Sequence, residues 1–197
     1  MNKEIYARSI GLLGEDNFNL IQDKVIAIFG LGGVGGTCLE ALARTGFKHF
    51  IIVDFDKVDS SNLNRQILYA AKDIGRNKVD AAKDRILSIN EEAVIEAYQA
   101  KAQEKGIPHI MSLGMANRFD PSKVKVAKLN QTHSDPLAKK IRYMVKKQGL
   151  ETSNVNVIIS EELPQKNGEI LYSTMMVPSS AGLSLAKFIL ESIIDKK

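Results

Sequence analysis

The stretch that decides the fold is KVIAIFGLGGVGGTCLEALARTGFKHFIIVD, residues 24–54. It opens with a short run of β-branched and apolar residues, 24–29, that ends at a glycine cluster, as strands buried on both faces do. Residues 37–44 favour a helix that ends at Gly46, and residues 49–53 form a second apolar run. This order predicts a βαβ unit with two parallel strands and a right-handed crossover.

The rest of the chain continues the alternation of helix and strand patterns. The predicted elements are a helix from about residue 76, strands at 93–98 and 107–113, a helix that Asp135 and Pro136 begin and Gly149 ends, strands at 155–159 and 170–176 with a turn at 164–168, and a closing amphipathic helix at 181–194. We therefore predict an α/β fold of Rossmann type. Its mostly parallel sheet is flanked by helices, with C-terminal antiparallel strands and a closing helix, in a single domain of residues 1–197.

Composition narrows the class of protein. The 197 residues, 44% hydrophobic and 25% charged, are typical of one soluble globular unit. Because 18 apolar residues never follow one another, we expect no membrane span and a cytoplasmic location. A single cysteine, Cys38, excludes an internal disulfide and a zinc site made of two CxxC pairs. The net charge of +4 leaves an anionic partner open.

The glycine cluster predicts a nucleotide site. Residues 30–36 satisfy GxGxxG between a strand and a helix, where glycines permit a tight turn and let phosphates approach backbone N–H groups at the positive helix end. Asp54 ends the second predicted strand, where an acidic side chain can accept hydrogen bonds from ribose hydroxyls. To this point ATP and NAD fit equally well.

The cations after the second strand favour ATP. Arg65 lies in the loop of residues 56–66, and Arg76 and Lys78 lie where the next helix begins, although the helix dipole disfavours cations there. An NAD site has no use for three cations. Adenylation needs positive charge on a triphosphate while a carboxylate attacks the α-phosphorus. An NAD-dependent oxidoreductase therefore remains only as the third alternative.

At these residues the chain resembles the ThiF/MoeB/HesA superfamily, the ubiquitin-activating-enzyme-like fold. The resemblance covers about residues 6–97 and rests on the glycine loop, the Asp after the second strand, the string SNLNRQ at residues 61–66, and a later lysine. It implies an ATP-binding half in residues 1–100. The implied nucleotide-binding residues are Gly30, Gly32, Gly33, Gly35, Asp54, Asp56, Ser61, Asn62, Arg65 and Lys78.

The same resemblance implies catalytic roles and an assembly. Arg65 and Lys78 would act on the phosphates, and Arg8 looks like the arginine that the family extends into the ATP site of a partner subunit, which implies a homodimer. The family also binds Mg²⁺ through an Asp at the end of a further strand. We find no such strand here, so we expect Mg²⁺ with ATP but assign no residue as its ligand.

The second half, residues 101–197, is similar to the TcdA (CsdL/YgdL) group, through residues 107–121 and 135–138. That group dehydrates tRNA threonylcarbamoyladenosine to its cyclic form. The resemblance implies that ATP activates the threonyl carboxylate and that a nitrogen of the same modification then displaces AMP. We predict that the basic face of the helix after Asp135 contacts tRNA phosphates, through Lys139, Arg142 and Lys146.

Two further alternatives stay open, one a rival enzyme and one from a different class. One is an adenylyltransferase acting on the C-terminus of a ubiquitin-like sulfur carrier, and the other is a non-catalytic nucleotide-binding relative. Relatives that transfer a ubiquitin-like C-terminus to a thiol carry a catalytic cysteine. Cys38, by contrast, lies in a predicted helix and is interpreted as structural. The sequence leaves a sulfur-relay protein open as a partner.

Finally, the connection after the third strand is short. The strand at 93–98 is followed by the next one at 107, although the return of a parallel strand to the same sheet takes a dozen residues or more. Residues 101–106, KAQEKG, read as the last turn of a helix that has no body. We therefore predict that a segment is missing between Ala100 and Lys101.

Overall fold

The computed structural model describes residues 4–100, 110–133, 135–147, 149–165 and 171–194. It contains two three-stranded sheets and six α-helices within those ranges. The predicted break between Ala100 and Lys101 and the predicted helix end at 101–106 lie outside the described residues, as do residues 107–109 of the fourth predicted strand.

The first sheet confirms the predicted βαβ unit and extends it by one strand. It is entirely parallel, in the order β1-β2-β3. Its elements are β1 (Val25–Phe29), β2 (His49–Val53) and β3 (Val94–Tyr98), preceded by α1 (Ala7–Leu13) and α2 (Glu15–Gln22) and connected by α3 (Gly33–Thr45) and α4 (Lys78–Leu87). Apolar side chains from one face of this sheet and from these helices form the main core. Its largest members include Phe18, Leu39, Phe50, Ile52 and Ile86.

The second sheet differs in part from the prediction. It consists of β4 (Ile110–Ser112), β5 (Val124–Lys128) and β6 (Asn156–Ser160), in the order β4-β6-β5. Strands β4 and β6 are parallel, and β5 runs antiparallel to β6. The sequence analysis missed β5, because only Val124 and Val126 in VKVAK are strong strand formers.

The strand predicted at 170–176 is wrong. Residues 171–174 have no regular structure, and α6 (Met176–Ile193) begins there, five residues before the predicted start of the closing helix. Pro178 fits this position, because proline is tolerated in the first turn of a helix, where its missing N–H has no intrahelical acceptor. The predicted antiparallel partner of β6 is therefore replaced by β5.

Helix α5 (Pro136–Lys147) confirms its predicted caps. The Asp135 carboxylate accepts a hydrogen bond of 2.9 Å from the Ala138 N–H, and Gly149 has a φ of +72° after the helix. Five short 3₁₀ helices complete the described structure: Ser60–Asn62, Ala71–Asp73, Pro121–Lys123, Leu129–Gln131 and Thr152–Asn154. In the part of the chain that is described, no helix is both long and apolar enough to cross a membrane.

Helix α6 connects the two halves of the molecule. It packs along α3 and also contacts β4, β5 and β6. The approach to α3 is close at Gly182, where a Cβ atom would lie 2.4 Å from the Val34 carbonyl oxygen and 2.7 Å from the Thr37 Cβ. The glycine loop and the second sheet are thus held in fixed relation through one helix pair.

Candidate nucleotide site

Asp54 organises the glycine loop at the end of β2. Its buried carboxylate accepts hydrogen bonds from the Leu31 N–H at 2.6 Å and from the Asp56 N–H at 2.8 Å. A carboxylate has about four acceptor positions, so these two bonds leave room for further donors. The sequence analysis placed Asp54 at a ribose, and the structure adds that it also holds the loop after β1 against the loop after β2.

The glycines shape a turn that larger residues could not form. Gly30 has a φ of +90°, and a Cβ at Gly35 would lie 1.9 Å from the Gly30 carbonyl oxygen. A Cβ at Gly33 would come within 3.0 Å of the Arg65 carbonyl oxygen. At Gly32, by contrast, a Cβ would meet nothing within 4 Å, so this side of the loop faces open space. The first N–H groups of α3 lack intrahelical acceptors by geometry and form an anion-binding helix end.

Lys78 is buried at the first position of α4. Its ammonium lies 2.9 Å from a carboxylate oxygen of Asp56, and the lysine side chain is 6% exposed while that of Asp56 is 47% exposed. The backbone strengthens the pairing, since the Lys78 N–H donates to the Asp56 carbonyl at 3.0 Å. Lys78 is therefore a fixed cation beside the helix start, as the sequence analysis predicted, with an acidic partner that it did not predict.

The role predicted for Arg76 is not supported by its surroundings. Arg76 directly precedes the N-cap of α4, near the positive end of the helix dipole, and its guanidinium binds the carboxylates of Asp73 at 2.8 Å and Asp84 at 2.5 Å. These hydrogen bonds raise the pKa of Arg76. Two acidic partners neutralise the cation, which makes Arg76 a structural residue of this loop.

The SNLNRQ string forms a compact turn whose side chains mostly bind one another. Asn62 is buried, and its amide oxygen accepts from the Asp59 N–H, so this predicted nucleotide ligand caps its own 3₁₀ helix. The Ser61 N–H donates to the Asp59 carboxylate, whose pKa is lowered by its hydrogen bonds with Ser61. Arg65 donates to the Ser61 carbonyl at 2.7 Å and remains half-buried.

Several contacts of the site were missed by the sequence analysis because they join distant residues. The Tyr69 hydroxyl donates to the Leu31 carbonyl at 2.9 Å, and burial raises the pKa of Tyr69. The Asn64 amide donates to the Ser173 carbonyl at 2.9 Å and so joins this loop to the segment before α6. The residues that follow in these two segments carry two buried oxygens without a hydrogen-bond partner among the described residues, Oε1 of Gln66 and Oγ1 of Thr174. Unmet buried acceptors of this kind suit a ligand-binding region.

The other predicted residues lie on α1, α3 and α5. Arg8 is exposed on α1. Cys38 is buried in α3, where burial raises the pKa of its thiol to about 12, and this supports its interpretation as structural. On α5, Lys139 and Lys146 are exposed, but Arg142 is half-buried and donates to the Thr132 carbonyl at 2.9 Å and to its hydroxyl.

The apolar residues of α5 differ in their burial. Ile141 and Val145 pack against a second, smaller core cluster made of Leu113, Leu129, Ala138 and Val157, whereas Leu137 and Met144 are about half exposed. The outer face carries Tyr143, 67% exposed, with a pair of lysines one turn to either side. The lysines are Lys139, Lys140, Lys146 and Lys147.

A cavity of about 430 Å³ lies in the second half of the molecule rather than at the glycine loop. Arg118, Lys125 and His133 are among its lining residues. Arg118 is buried there and already bound, since it donates to the Glu162 carbonyl at 2.8 Å. Burial lowers the pKa of Arg118. The lining residues of this cavity include none of the predicted nucleotide-binding residues.

Together, the glycine loop, Asp54 and buried Lys78 define a nucleotide-binding α/β protein. Residues 6–120 match the model of the ThiF family, and the chain belongs to that family. It is 31% identical to a tRNA threonylcarbamoyladenosine dehydratase of Bacillus subtilis (strain 168), a match that covers 81% of this chain and 75% of that protein. Among solved structures it is similar to E. coli TcdA in complex with ATP, with a TM-score of 0.88 and 25% identity over 97% of this chain and 94% of that one.

A SUMO-activating enzyme subunit 2 of Dictyostelium discoideum is 40% identical, but the match covers only 52% of this chain and 16% of that protein.

The Bacillus and Dictyostelium alignments also differ in the number of positions at which this chain has no residue. The Bacillus alignment has 192 positions but uses 81% of 197 residues, about 160, so about 32 of its positions have no residue in this chain. The Dictyostelium alignment has 105 positions and uses 52% of the chain, about 102 residues, so it is nearly free of such gaps.

Proposed function

We propose that this chain is an ATP-dependent tRNA threonylcarbamoyladenosine dehydratase. The observation that carries the proposal is the extent of similarity. Relatives with that name align with about four fifths of the chain, whereas the SUMO-activating enzyme subunit aligns with about half. The fold also supports the proposal. The TcdA structure that was solved with ATP is similar to this chain over 97% of the chain's length.

The residues at the glycine loop fit ATP. The N-terminal N–H groups of α3 and the open side of Gly32 would receive phosphate oxygens, and Asp54 has acceptor positions left for ribose hydroxyls. Lys78 and Arg65 would supply positive charge for the triphosphate. Among the predicted ligands, Asn62 contributes by holding the loop in shape, because its side-chain oxygen is already bound by Asp59.

ATP supplies the activation of a carboxylate. In the proposed reaction the threonyl carboxylate of the modified adenosine attacks the α-phosphorus, and the bond to pyrophosphate breaks. A nitrogen of the same modification then attacks the activated carbonyl carbon, loses its proton, and displaces AMP. The ring closes with net loss of water from the modification. A chain that performs this intramolecular step needs no thiol nucleophile, which agrees with a buried Cys38 of raised pKa.

Lys78 would act by electrostatic stabilisation. Its ammonium is desolvated and held by the start of α4, so it needs little reorganisation when negative charge develops on the phosphates. Asp56 neutralises this charge in the free protein and is half exposed, which leaves it able to turn toward solvent when phosphates bind. The fixed position of Lys78 is therefore the main catalytic feature that we assign.

We propose Mg²⁺ as the companion of ATP and assign none of the described residues as its ligand. No group of three or more His, Cys, Asp or Glu side chains within the described ranges could hold a metal ion. The nearby carboxylate of Asp54 is hydrogen-bonded to two backbone N–H groups, and that of Asp56 binds Lys78. Because Mg²⁺ keeps several waters and is often bound through substrate phosphates, ATP itself would be its principal ligand.

We further propose a cytoplasmic homodimer in which Arg8 reaches the partner subunit's phosphates. Support comes from the exposure of Arg8 on α1. On the resemblance alone, we also propose a sulfur-relay protein as a partner.

The tRNA would bind along the outer face of α5. Lys139, Lys140, Lys146 and Lys147 surround Tyr143 on that exposed face. Lysines can neutralise phosphates, and an exposed aromatic ring can stack on an unpaired base, which are two common elements of RNA recognition. We leave Arg142 out of this proposed surface, because its guanidinium donates to the Thr132 carbonyl instead.

Exchange of labelled pyrophosphate into ATP tests the function. We expect exchange with tRNA that carries threonylcarbamoyladenosine, and none with the same tRNA lacking the modification. The second candidate, an adenylyltransferase for a ubiquitin-like carrier, is favoured by the 40% identity to a SUMO-activating enzyme subunit. Exchange that requires a carrier ending in Gly-Gly and ignores the modified tRNA would establish that candidate. Titration with ATP and with NAD in the same calorimeter separates an ATP-binding protein from an NAD-dependent oxidoreductase. ATP binding without exchange on either substrate would indicate a nucleotide-binding protein without turnover.

A further inference from the structure

Both polar backbone groups of Leu31, in the glycine loop, are bound by side chains from other parts of the chain. The Leu31 N–H donates to the Asp54 carboxylate at 2.6 Å, and the Leu31 carbonyl accepts from the Tyr69 hydroxyl at 2.9 Å. All three residues are buried. Among the described residues, the Tyr69 hydroxyl is the one donor to that carbonyl. The two bonds therefore fix the peptide groups on both sides of the Leu31 Cα.

The bond from Tyr69 also fixes the direction of the Gly32 N–H. The Leu31 carbonyl and the Gly32 N–H belong to one peptide group, and in a planar trans peptide these two groups point in opposite directions. Because the carbonyl points to the buried Tyr69 hydroxyl, the N–H points away from it. In the part of the chain that is described, no group accepts a hydrogen bond from this N–H, and a Cβ at Gly32 would meet nothing within 4 Å. The Gly32 N–H is thus a free donor on the open side of the loop.

Gly32 by itself does not hold this orientation. Glycine has no Cβ, so the peptide group before it can rotate at low cost. The preceding peptide is restrained by packing, since the Gly30 carbonyl oxygen lies where a Cβ at Gly35 would be 1.9 Å away. The peptide between Leu31 and Gly32 is restrained by a hydrogen bond instead. The Tyr69 hydroxyl is therefore the group that keeps this N–H from turning inward.

The hydroxyl is a persistent donor. Burial raises the pKa of Tyr69, and the nearby carboxylates of Asp54, Asp56 and Asp73 raise it further. The phenol therefore stays protonated at any working pH. Its backbone is also tied to the SNLNRQ turn, because the Tyr69 N–H donates to the Gln66 carbonyl at 3.2 Å. Tyr69 thus connects that turn to the glycine loop.

We infer that Tyr69 is a positioning residue for the nucleotide phosphates, and that its hydroxyl aims the Gly32 N–H at a phosphate oxygen. Tyr69 itself does not touch the nucleotide, since its hydroxyl is engaged with the Leu31 carbonyl. Its effect is confined to the phosphate end of the ligand, because the acceptor positions proposed for the ribose are on Asp54. The inference rests on the proposed ATP site and not on tRNA as the substrate.

Calorimetry of Tyr69→Phe with ATP, AMP and adenosine tests the inference. The substitution removes the hydroxyl and keeps the ring in the core. We expect the Kd for ATP and for AMP to rise by about 3- to 10-fold, the size of one net hydrogen bond, and the Kd for adenosine to stay the same. An unchanged Kd for ATP overturns the inference. So does an equal loss for adenosine, because general damage to the loop would weaken every ligand.

The matched control is Tyr6→Phe. The Tyr6 hydroxyl is also buried and lies 3.5 Å from a main-chain carbonyl of the same helix α3, that of Ala43 near its other end. We expect its Kd for all three ligands to equal that of the wild type. A rise in the Kd for ATP as large as that in Tyr69→Phe would contradict a specific role for the Tyr69 hydroxyl.

The amide signal of Gly32 gives a second readout that a purely structural role would not change. In protein with isotopically labelled glycine, Gly32→Ala assigns this signal by its loss, and the loop has room for the added Cβ. We expect AMP to move the Gly32 amide proton downfield in the wild type and much less in Tyr69→Phe. Equal shifts in the two proteins would overturn the inference. These measurements use no tRNA, so a protein that binds ATP but shows no exchange with modified tRNA would refute the proposed dehydratase and leave the role of Tyr69 standing.

Discussion

At the scale of single residues, the site depends on groups that are fixed before any ligand arrives. Lys78 is held by Asp56 and by the start of α4, and Asp54 by two backbone N–H groups. Such preorganised charges stabilise a developing negative charge better than mobile ones do, because they need not reorient during the reaction.

Substitution Lys78→Ala tests the electrostatic role. We expect the pyrophosphate-exchange rate to fall by about 100-fold or more, as when one preorganised group is removed from a catalytic site. The fold should change little, because the Asp56 carboxylate left behind is half exposed and can be solvated. Circular dichroism and exchange kinetics measure the two effects. The matched control is Lys83→Ala, an exposed lysine of the same helix. Loss of activity in both variants would contradict a specific role for Lys78.

Asp54→Asn tests the structural role of the carboxylate. The amide has one acceptor oxygen, so either the Leu31 N–H or the Asp56 N–H loses its acceptor and faces an NH₂ group. A buried donor without a partner costs about 1–3 kcal/mol. We expect a lower free energy of unfolding in urea and weaker ATP binding by calorimetry. Asp23→Asn, at an exposed position, is the control. Unchanged stability and affinity would show that Asp54 does not organise the loop.

At the scale of elements, the pair α3 and α6 joins the nucleotide loop to the second half. The contact depends on Gly182, where backbone and side-chain atoms of α3 leave no room for a Cβ. Gly182 falls near the start of the closing helix predicted at 181–194, but no local pattern identifies its neighbour in α3.

Gly182→Ala should destabilise this helix pair. A new methyl group at 2.4 Å from the Val34 carbonyl forces the helices apart, and overpacking of this kind costs about 1–3 kcal/mol. Urea unfolding measures the loss. Gly11→Ala in α1 is the matched control, because a Cβ there meets nothing within 4 Å. It should be neutral or stabilise by about 0.5–1 kcal/mol, since alanine favours a helix interior over glycine. Equal effects of the two substitutions would refute the close contact.

The outer face of α5 predicts salt-dependent tRNA binding. Each neutralised phosphate contributes about 0.7–0.9 to the log–log slope of affinity against salt, so Lys139→Glu with Lys146→Glu should reduce the slope by about 1.5. Filter binding at several salt concentrations measures it. The control, Lys83→Glu with Lys187→Glu, changes the net charge equally at exposed sites on other helices. If the control reduces the slope as much, the attraction is general and does not involve α5.

At the scale of the whole molecule, the proposed dimer predicts complementation between inactive variants. If Arg8 acts in the partner subunit's site, a heterodimer of Arg8→Ala and Lys78→Ala chains contains one site with both wild-type residues. We expect mixed and re-associated chains to recover up to about a quarter of wild-type exchange: random pairing makes half of the dimers heterodimers, and each has one intact site of two. Recovery should follow subunit exchange in time. If mass measurement shows that the subunits have exchanged and the activity still does not recover, Arg8 lies outside the shared site.

The sequence by itself determined the βαβ unit, the glycine loop, Asp54, the position of Lys78 at a helix start, and both caps of α5. These depend on signals within a few residues: apolar periodicity, backbone freedom at glycine and local capping. Only the tertiary structure decided the partners of the charged residues, so that Arg76 binds Asp73 and Asp84, and Arg142 binds Thr132. It also decided that β5 and not residues 170–176 pairs with β6, and which face of the first sheet packs into the main core. Pairing across a sheet and burial of a face join residues far apart in the chain, and no local pattern specifies such contacts.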